Sequence, residues 1–377
     1  MKGPRVLFYV QHLLGIGHLA RASRIATALA DDGFAVTMVS GGVPAQGFPG
    51  PGVETIELPP VAAADQGFSD LTDLSGRPVD DAFKARRRDL LVRALHDIRP
   101  AIVIIEAYPF GRRQMRFELL PLLEAVAVMA PRPALVTSVR DILQERVKPG
   151  RNEETLDILN RQFDLVMAHG DPQFATLADT FPLASSIRAE IAYTGMVAGP
   201  RPAPSPEAYD VIVSAGGGAA GRLLVEAAVG ASALVSPGKR WCLITGPNLP
   251  AADFEAAVAS APTGLDIFRF RKDFPSLLAA AQLSISQSGY NTVCDVLQAG
   301  CRAIYVPFAA GGETEQTVRA ERLARLRLSV AIAEKQLTPV RLAAEIERQL
   351  GLPKPASHAL DLDGARKSAS ILRRLVG

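Results

Sequence analysis

A chain of 377 residues with 48% hydrophobic content holds more apolar material than one core usually organises, so two domains are expected. Its 41 Lys and Arg residues nearly balance 39 Asp and Glu, which removes the bulk electrostatic case for binding nucleic acid or an anionic membrane. The three cysteines, Cys242, Cys294 and Cys301, lack a Cys-x-x-Cys spacing and a nearby histidine cluster, which excludes a zinc knuckle and fits a reducing cytoplasm.

The apolar run at residues 6–10 is too short for a signal peptide. Residues 119–129, the longest greasy stretch, are broken by Pro121 and Glu124 and fall short of the roughly 20 residues a bilayer span needs. A cytoplasmic chain without a transmembrane segment is expected. Short aliphatic runs at residues 6–10, 35–40, 101–105, 134–139 and 165–168 read as strands separated by helices, the pattern of a parallel sheet covered on both faces. Residues 59–78 read as an irregular surface excursion and residues 79–99 as an amphipathic helix. Pro200, Pro202, Pro204 and Pro206 mark a stiff linker. A second series of strands follows at residues 211–214, 241–245, 283–286, 303–306 and 329–332. The fold class is therefore α/β, with Rossmann-like domains at 1–199 and 210–360, a linker at 200–209, and a terminal helix at 361–377 expected to return to the first domain.

In open parallel sheets ligands bind beyond the carboxyl ends of the strands, where glycine-rich loops enter helices. In the second domain that rule selects Gln287, Ser288 and Gly289, which precede a helix bearing Asn291, Thr292 and Asp295. Backbone N–H groups at Gly289 suit a diphosphate, and Asp295 suits ribose hydroxyls. Glu315 and Gln316, after the loop 309–312, are placed to read sugar hydroxyls, and Gly216, Gly217 and Gly218 form a second phosphate-sized turn. Helix capping explains Ser288 and Glu315 equally well from residue type alone.

Ser288-Gly289, Thr292-Val293, Asp295, Ala299-Gly300, Val306-Pro307-Phe308 and Gln316 resemble, in order and spacing, the donor half of the bacterial N-acetylglucosamine transferase family that completes the peptidoglycan lipid intermediate. That family is glycosyltransferase family 28, on the two-domain fold called GT-B. The close match runs from Phe270 to Ala320. The resemblance implies two domains facing across a cleft, a UDP-sugar donor, Asp295 on the ribose, Glu315 and Gln316 on the hexose, and backbone at Phe270 and Arg271 on the base. Glu315 stands where the family has a second glutamine, so the sugar is open.

In the first domain Gly15, Gly17 and His18 open a helix but lack the third glycine of a dinucleotide fingerprint, which argues against a dehydrogenase. The same Gly-x-Gly-His order resembles the first loop of the glycosyltransferase superfamily and makes His18 the candidate base. Its local alternative is a histidine that only caps the helix. Glu106, Arg140 with Asp141, and His169 with Asp171 occupy other strand ends, and Glu106 and Asp141 are the reserve candidates for orienting or replacing His18. With the Gly15 loop these ends resemble a bacterial branch of predicted glycosyltransferases.

The expected activity is a metal-independent, inverting hexosyl transfer from a nucleoside diphosphate sugar to an acceptor hydroxyl, with no cofactor and no Asp-x-Asp motif to clamp a metal. Alternatives are an epimerase or hydrolase of nucleotide sugars, or a non-catalytic binder of them. Expected partners are the nucleotide sugar and an acceptor that is lipid-linked or a small metabolite, with no nucleic acid. Two basic clusters, Lys84, Arg86, Arg87, Arg88 and Arg112, Arg113, Arg116, read either as weak peripheral contacts at the inner membrane face or as solvated helix faces.

Overall fold

The computed structural model describes residues 3–13, 15–45, 47–64, 67–144, 148–216, 221–353, 355 and 357–376. It divides into one unit of Met1–Val197 with Leu360–Gly377, and a second of Ala198–Ala359.

The first unit begins with β1 (Arg5–Val10), α1 (Gly17–Asp31), β2 (Ala35–Ser40) and β3 (Glu54–Glu57). After β4 (Ala62–Ala64), β5 (Gly67–Thr72) and α2 (Asp81–Ile98), it continues through β6 (Ile102–Glu106), α3 (Arg116–Ala127), β7 (Ala134–Arg140), α4 (Arg151–Gln162), β8 (Leu165–His169) and β9 (Glu190–Tyr193). Seven strands form one parallel sheet in the order β3-β2-β1-β6-β7-β8-β9. The central strands are buried on both faces, as their unbroken apolar runs require: Val6, Leu7, Phe8, Ile102, Val103, Ile104 and Ile105 are fully covered. Each such apolar side chain contributes about 1.5–3 kcal/mol on burial. The stretch read as irregular contains an antiparallel pair, β4 with β5, so that expectation is corrected. Helix α2 starts where Asp80 accepts a hydrogen bond from the Phe83 N–H at 2.7 Å.

A buried ion pair ties the loops of this sheet to the helices behind it. The Arg87 guanidinium donates to Glu118 through Nε and a terminal nitrogen at 2.8 Å each, and to Gln11 Oε1 at 2.9 Å. It also reaches the Gly41 and Pro59 carbonyl oxygens, while the Tyr9 hydroxyl donates to Glu118 at 2.5 Å. With five acceptor oxygens on four residues around its donors, Arg87 is a packed structural cation and not part of a basic surface, contrary to the expectation for its cluster.

The second unit contains β10 (Val211–Ser214), α5 (Arg222–Ser232), β11 (Trp241–Ile244), α6 (Ala251–Ala259), β12 (Leu265–Phe268), α7 (Phe274–Ala280), β13 (Leu283–Ser286), α8 (Tyr290–Ala299), β14 (Arg302–Tyr305), α9 (Glu315–Arg325), β15 (Val330–Ala331) and α10 (Pro339–Leu350). Its parallel sheet runs β12-β11-β10-β13-β14-β15 over a core that includes Trp241, Leu243, Ile285 and Ile304. Helix α8 ends at Gly300, whose φ of 67° is left-handed. The final helix, α11 (Gly364–Val376), belongs to the first unit, where it packs on α1 through Ala369 and Leu372, and Arg373 pairs with Asp32 at 2.9 Å. Among the described residues no helix is long and apolar enough to cross a membrane.

Candidate active site

In the first sheet the strand order reverses between β1 and β6, so a ligand crevice is expected beyond the C-terminal ends of those two strands. His18, the second residue of α1, meets Glu106, the last residue of β6, at that point: His18 Nδ1 lies 3.0 Å from Glu106 Oε1. The backbone after Glu106 swings away at once because Ala107 adopts a φ of 65°, a left-handed conformation that costs a residue with a Cβ roughly 1–2 kcal/mol.

Glu106 is fully buried and heavily partnered. Arg21, one helical turn beyond His18, forms an ion pair with Oε1, and the Ser138 hydroxyl of β7 donates to Oε2 at 2.6 Å. Burial alone would raise the carboxyl pKa, but the Arg21 charge and the hydrogen bonds from His18 and Ser138 outweigh it and hold the group at about 2. His18 is 19% exposed. Burial and the Arg112 charge push its pKa well below the usual imidazole value, against the raising effect of the Glu106 contact. An ionised Glu106 accepts from Nδ1–H, which leaves the Nε2 lone pair as the basic site. This is the division of labour by which a carboxylate sets the tautomer of a catalytic histidine.

Behind Ser138 lies His169, the last residue of β8, which is fully buried. Its Nε2 is 2.9 Å from Ser138 Oγ and its Nδ1 is 2.9 Å from Thr194 Oγ1. Of the two reserve carboxylates it is Glu106 that reaches His18. Asp141 is buried beyond β7, where Oδ1 accepts from the Ile142 N–H at 2.8 Å. Asp171 holds the returning chain, accepting from the Asp361 N–H at 2.9 Å. Gly15 and Gly17 flank the start of α1, and a Cβ added at Gly15 would meet open space. Arg112 is drawn down to about 10 by burial and donates to the Gln11 carbonyl at 2.6 Å, while Arg113 and Arg116 both pair with Glu154. The three arginines of that cluster therefore serve the protein's own groups.

The second sheet reverses between β10 and β13, and its candidate site is built on the loops after those strands. Gly216 has a φ of 80°, and a Cβ there would come within 2.9 Å of Gln287 Oε1, so the two loops meet and only glycine fits without strain. Gly217 and Gly218 lie outside the described residues. A Cβ at Gly289 would meet nothing within 4 Å, which leaves clear space over the start of α8. Thr292 and Asp295, three residues apart on α8, are half-buried on one face. Phe270 is 68% exposed, and the Arg271 side chain is taken up by Glu207 and Asp273 at 2.7 Å each, so only its backbone remains for a ligand.

Two side chains expected at the ligand have other work. Ser288 is fully buried and donates to the Gln316 carbonyl at 2.8 Å; Glu315 is 2% exposed and pairs with Arg319 at 2.7 Å. Arg319 also donates to the Ser288 carbonyl at 3.0 Å. These bonds fasten the loop after β13 to the start of α9. Gln316 Oε1 accepts from the Phe308 N–H at 3.2 Å, which orients its amide nitrogen. Sequence reasoning noted Arg21 beside His18 and His169 at a strand end without giving either a role, and passed over Ser138 and Arg319. The i, i+3 and i, i+4 spacings His18/Arg21 and Glu315/Arg319 were the available signals for two of them. Ser138 sits inside a strand and carried none.

Among the described residues no group of three or more His, Cys, Asp or Glu is arranged to hold a metal ion. The expectation that the chain carries no Asp-x-Asp motif is corrected: Asp361 and Asp363 form one, and they are engaged locally, with Lys367 and Arg366 respectively.

Comparison with known proteins gives a consistent picture. Residues 211–366 match the glycosyltransferase family 28 C-terminal domain. Over 109 residues, 29% of this chain and 29% of the relative, the sequence is 34% identical to a UDP-N-acetylglucosamine--N-acetylmuramyl-(pentapeptide) pyrophosphoryl-undecaprenol N-acetylglucosamine transferase of Methylorubrum populi. The matched segment thus spans under a third of that relative's length. The fold is similar to that of the calicheamicin glycosyltransferase CalG4, at 18% identity and a TM-score of 0.62 over 100% of this chain and 94% of the other. MurG of Acinetobacter baumannii is similar at 16% identity and a TM-score of 0.56, covering 97% and 95%. The architecture is that of two-domain GT-B glycosyltransferases.

Proposed function

We propose that this chain, whose residues 211–366 match a glycosyltransferase family 28 C-terminal domain, transfers a hexose from a nucleoside diphosphate sugar to an acceptor hydroxyl. The observation that carries the reading is the His18–Glu106 contact at the switch point of the first sheet. His18 Nε2 takes the acceptor proton as the hydroxyl oxygen attacks the anomeric carbon, and Glu106 stabilises the imidazolium that forms. The leaving diphosphate departs from the opposite face of that carbon, so the product is inverted.

The second unit holds the donor. Backbone N–H groups at Gly216, Ser288 and Gly289 and the dipole of α8 meet the diphosphate, the role a metal plays elsewhere. Asp295 accepts from the ribose, backbone at Phe270 and Arg271 meets the base, and Gln316 meets the sugar through its amide N–H groups. UDP is the favoured nucleotide because the Methylorubrum relative is named for a UDP-N-acetylglucosamine donor. Its name also carries an undecaprenol acceptor, which makes a lipid-linked alcohol, met by peripheral contact at the inner membrane face, the first acceptor class to try. The test is calorimetric titration with UDP, followed by assay of UDP release from UDP-sugars. Absence of binding to any nucleoside diphosphate, or loss of binding in His18→Ala with retention in Asp295→Ala, would sink this division of labour.

A further inference from the structure

The hydrogens around Glu106 can be counted, and the count fixes a tautomer two side chains away. Ser138 Oγ stands 2.6 Å from Glu106 Oε2 and 2.9 Å from His169 Nε2. A hydroxyl has one hydrogen. Against an ionised carboxylate at that distance it must donate, so the same oxygen must accept at His169, and Nε2 of His169 must carry a hydrogen. A ring buried to 0% exposure beside Arg21 stays neutral, and burial holds its pKa near 3. Its Nδ1 is then an acceptor. The Thr194 hydroxyl lies 2.8 Å from the Gly195 carbonyl oxygen, to which it can donate, and 2.9 Å from this nitrogen; with Nδ1 as an acceptor, its one hydrogen turns from the carbonyl to the ring.

We infer that Thr194, His169 and Ser138 form a one-way hydrogen-bond chain, every hydrogen directed toward Glu106, and that Ser138 and His169 are positioning residues for the His18 base. The inference rests on the proposed role of His18 and extends it. The physical reason is the carboxylate's geometry. Arg21 and His18 share Oε1, so without a donor at Oε2 the group is free to rotate and offer His18 an oxygen out of line. Ser138 removes that freedom from β7, and His169, from β8, removes Ser138's own freedom to turn its hydrogen elsewhere. The charged groups around the chain are His18 and Arg21 on α1, Glu106 on β6, Arg112 on the following loop and Arg140 at the end of β7. Each acts on Glu106 or on the Arg112 beside it, and none replaces the Ser138 donor at Oε2.

The deciding experiment is nitrogen-15 NMR of the full chain labelled at histidine, which has five such residues, with His18→Ala and His169→Gln supplying the assignments. The expected spectrum has His169 protonated at Nε2 and His18 at Nδ1. His169 protonated at Nδ1 in the wild type overturns the inference, and this measurement needs no turnover. Kinetics give the second arm, with UDP release from UDP-N-acetylglucosamine into water as the readout. Ser138→Ala is expected to lower kcat about tenfold with KM and UDP affinity within twofold, and Ser138→Thr, which restores the hydroxyl, to recover most of it. His169→Gln keeps an N–H donor for Ser138 and should exceed His169→Leu in kcat by several fold. Wild-type kcat in Ser138→Ala, or a parallel loss of kcat and UDP affinity, overturns the positioning role. Failure of the underlying reading has a different signature: His18→Ala then releases UDP at the wild-type rate while the His169 tautomer stands as expected.

Discussion

Nδ1 of His18 faces Oε1 of Glu106 across 3.0 Å, and a shared oxygen places Arg21 beside them. That arrangement makes Glu106 more than a counter-ion. It selects the imidazole tautomer and is itself held ionised.

Replacement of Glu106 by Gln keeps the shape and reverses the logic, because an amide N–H can donate to Nδ1 and favour the tautomer with no lone pair on Nε2. Turnover is expected to fall about a hundredfold or more, as for removal of a well-placed general base. UDP affinity, measured by calorimetry, should stay within twofold. His18→Ala should match it, since the two residues act as one unit.

Asp295→Ala is expected to act in the opposite way. Losing hydrogen bonds between a carboxylate and ribose costs about 1.5–3 kcal/mol, or roughly 10–150-fold in Kd for UDP. Titration with UDP against deoxyuridine diphosphate checks the cause, because the mutant should no longer discriminate between them.

Arg319→Met leaves the Glu315 carboxylate buried without its ion-pair partner and is expected to destabilise the protein by about 3–5 kcal/mol in urea unfolding. Removing both charges in Glu315→Met with Arg319→Met should cost clearly less than Arg319→Met alone. Glu315→Gln should lower stability while changing the preference among UDP-sugars little, which a thermal-shift screen over several donors would measure. A large switch in sugar preference would return Glu315 to the ligand.

Acid sensitivity follows from the buried histidines. His169 has a folded pKa near 3 against an ordinary value of 6.5, so its neutral form is what the fold accepts. The stability it provides is complete above pH 6.5 and drains away as the pH falls toward 3, since the unfolded chain takes up the proton first. Between pH 6.5 and 5 one such group loses about 2 kcal/mol. Urea midpoints across that range should fall, and His169→Gln should flatten the slope. Glu106, held at about 2 against 4.5, adds its own loss only below pH 4.5. The acid limb of kcat/KM should likewise lie below 6.5, because His18 is depressed.

Central strands announced themselves through uninterrupted apolar runs, since both faces are covered. Within the two large sheets the strands that went unread, β3, β9 and β12, are edge segments such as Glu54–Glu57 and Leu265–Phe268, whose charged residues face solvent and break any hydrophobic pattern. The site divided along the same line. His18 and Glu106 were visible because they follow strand ends, where the fold places chemistry. Ser138 lies within an apolar strand and looks like an ordinary core polar residue until its partners, 32 and 31 positions away, are known; His169 stands at a strand end, but nothing local ties it to Ser138. Ser288 and Glu315 looked like ligand contacts because nothing local shows that Arg319 will be buried between their backbone and carboxylate.

The return of α11 to the first unit also sets an order of events on the ribosome. Vectorial synthesis ordinarily lets the earlier domain fold first. Here Leu360–Gly377 supplies α11, which packs on α1, so the first unit stays incomplete until residues 360–377 have been made, while Ala198–Ala359 has all of its own chain sooner. A chain truncated after residue 359 would therefore hold every residue of the second unit and a first unit with the α1 face still bare, a surface for chaperones to guard.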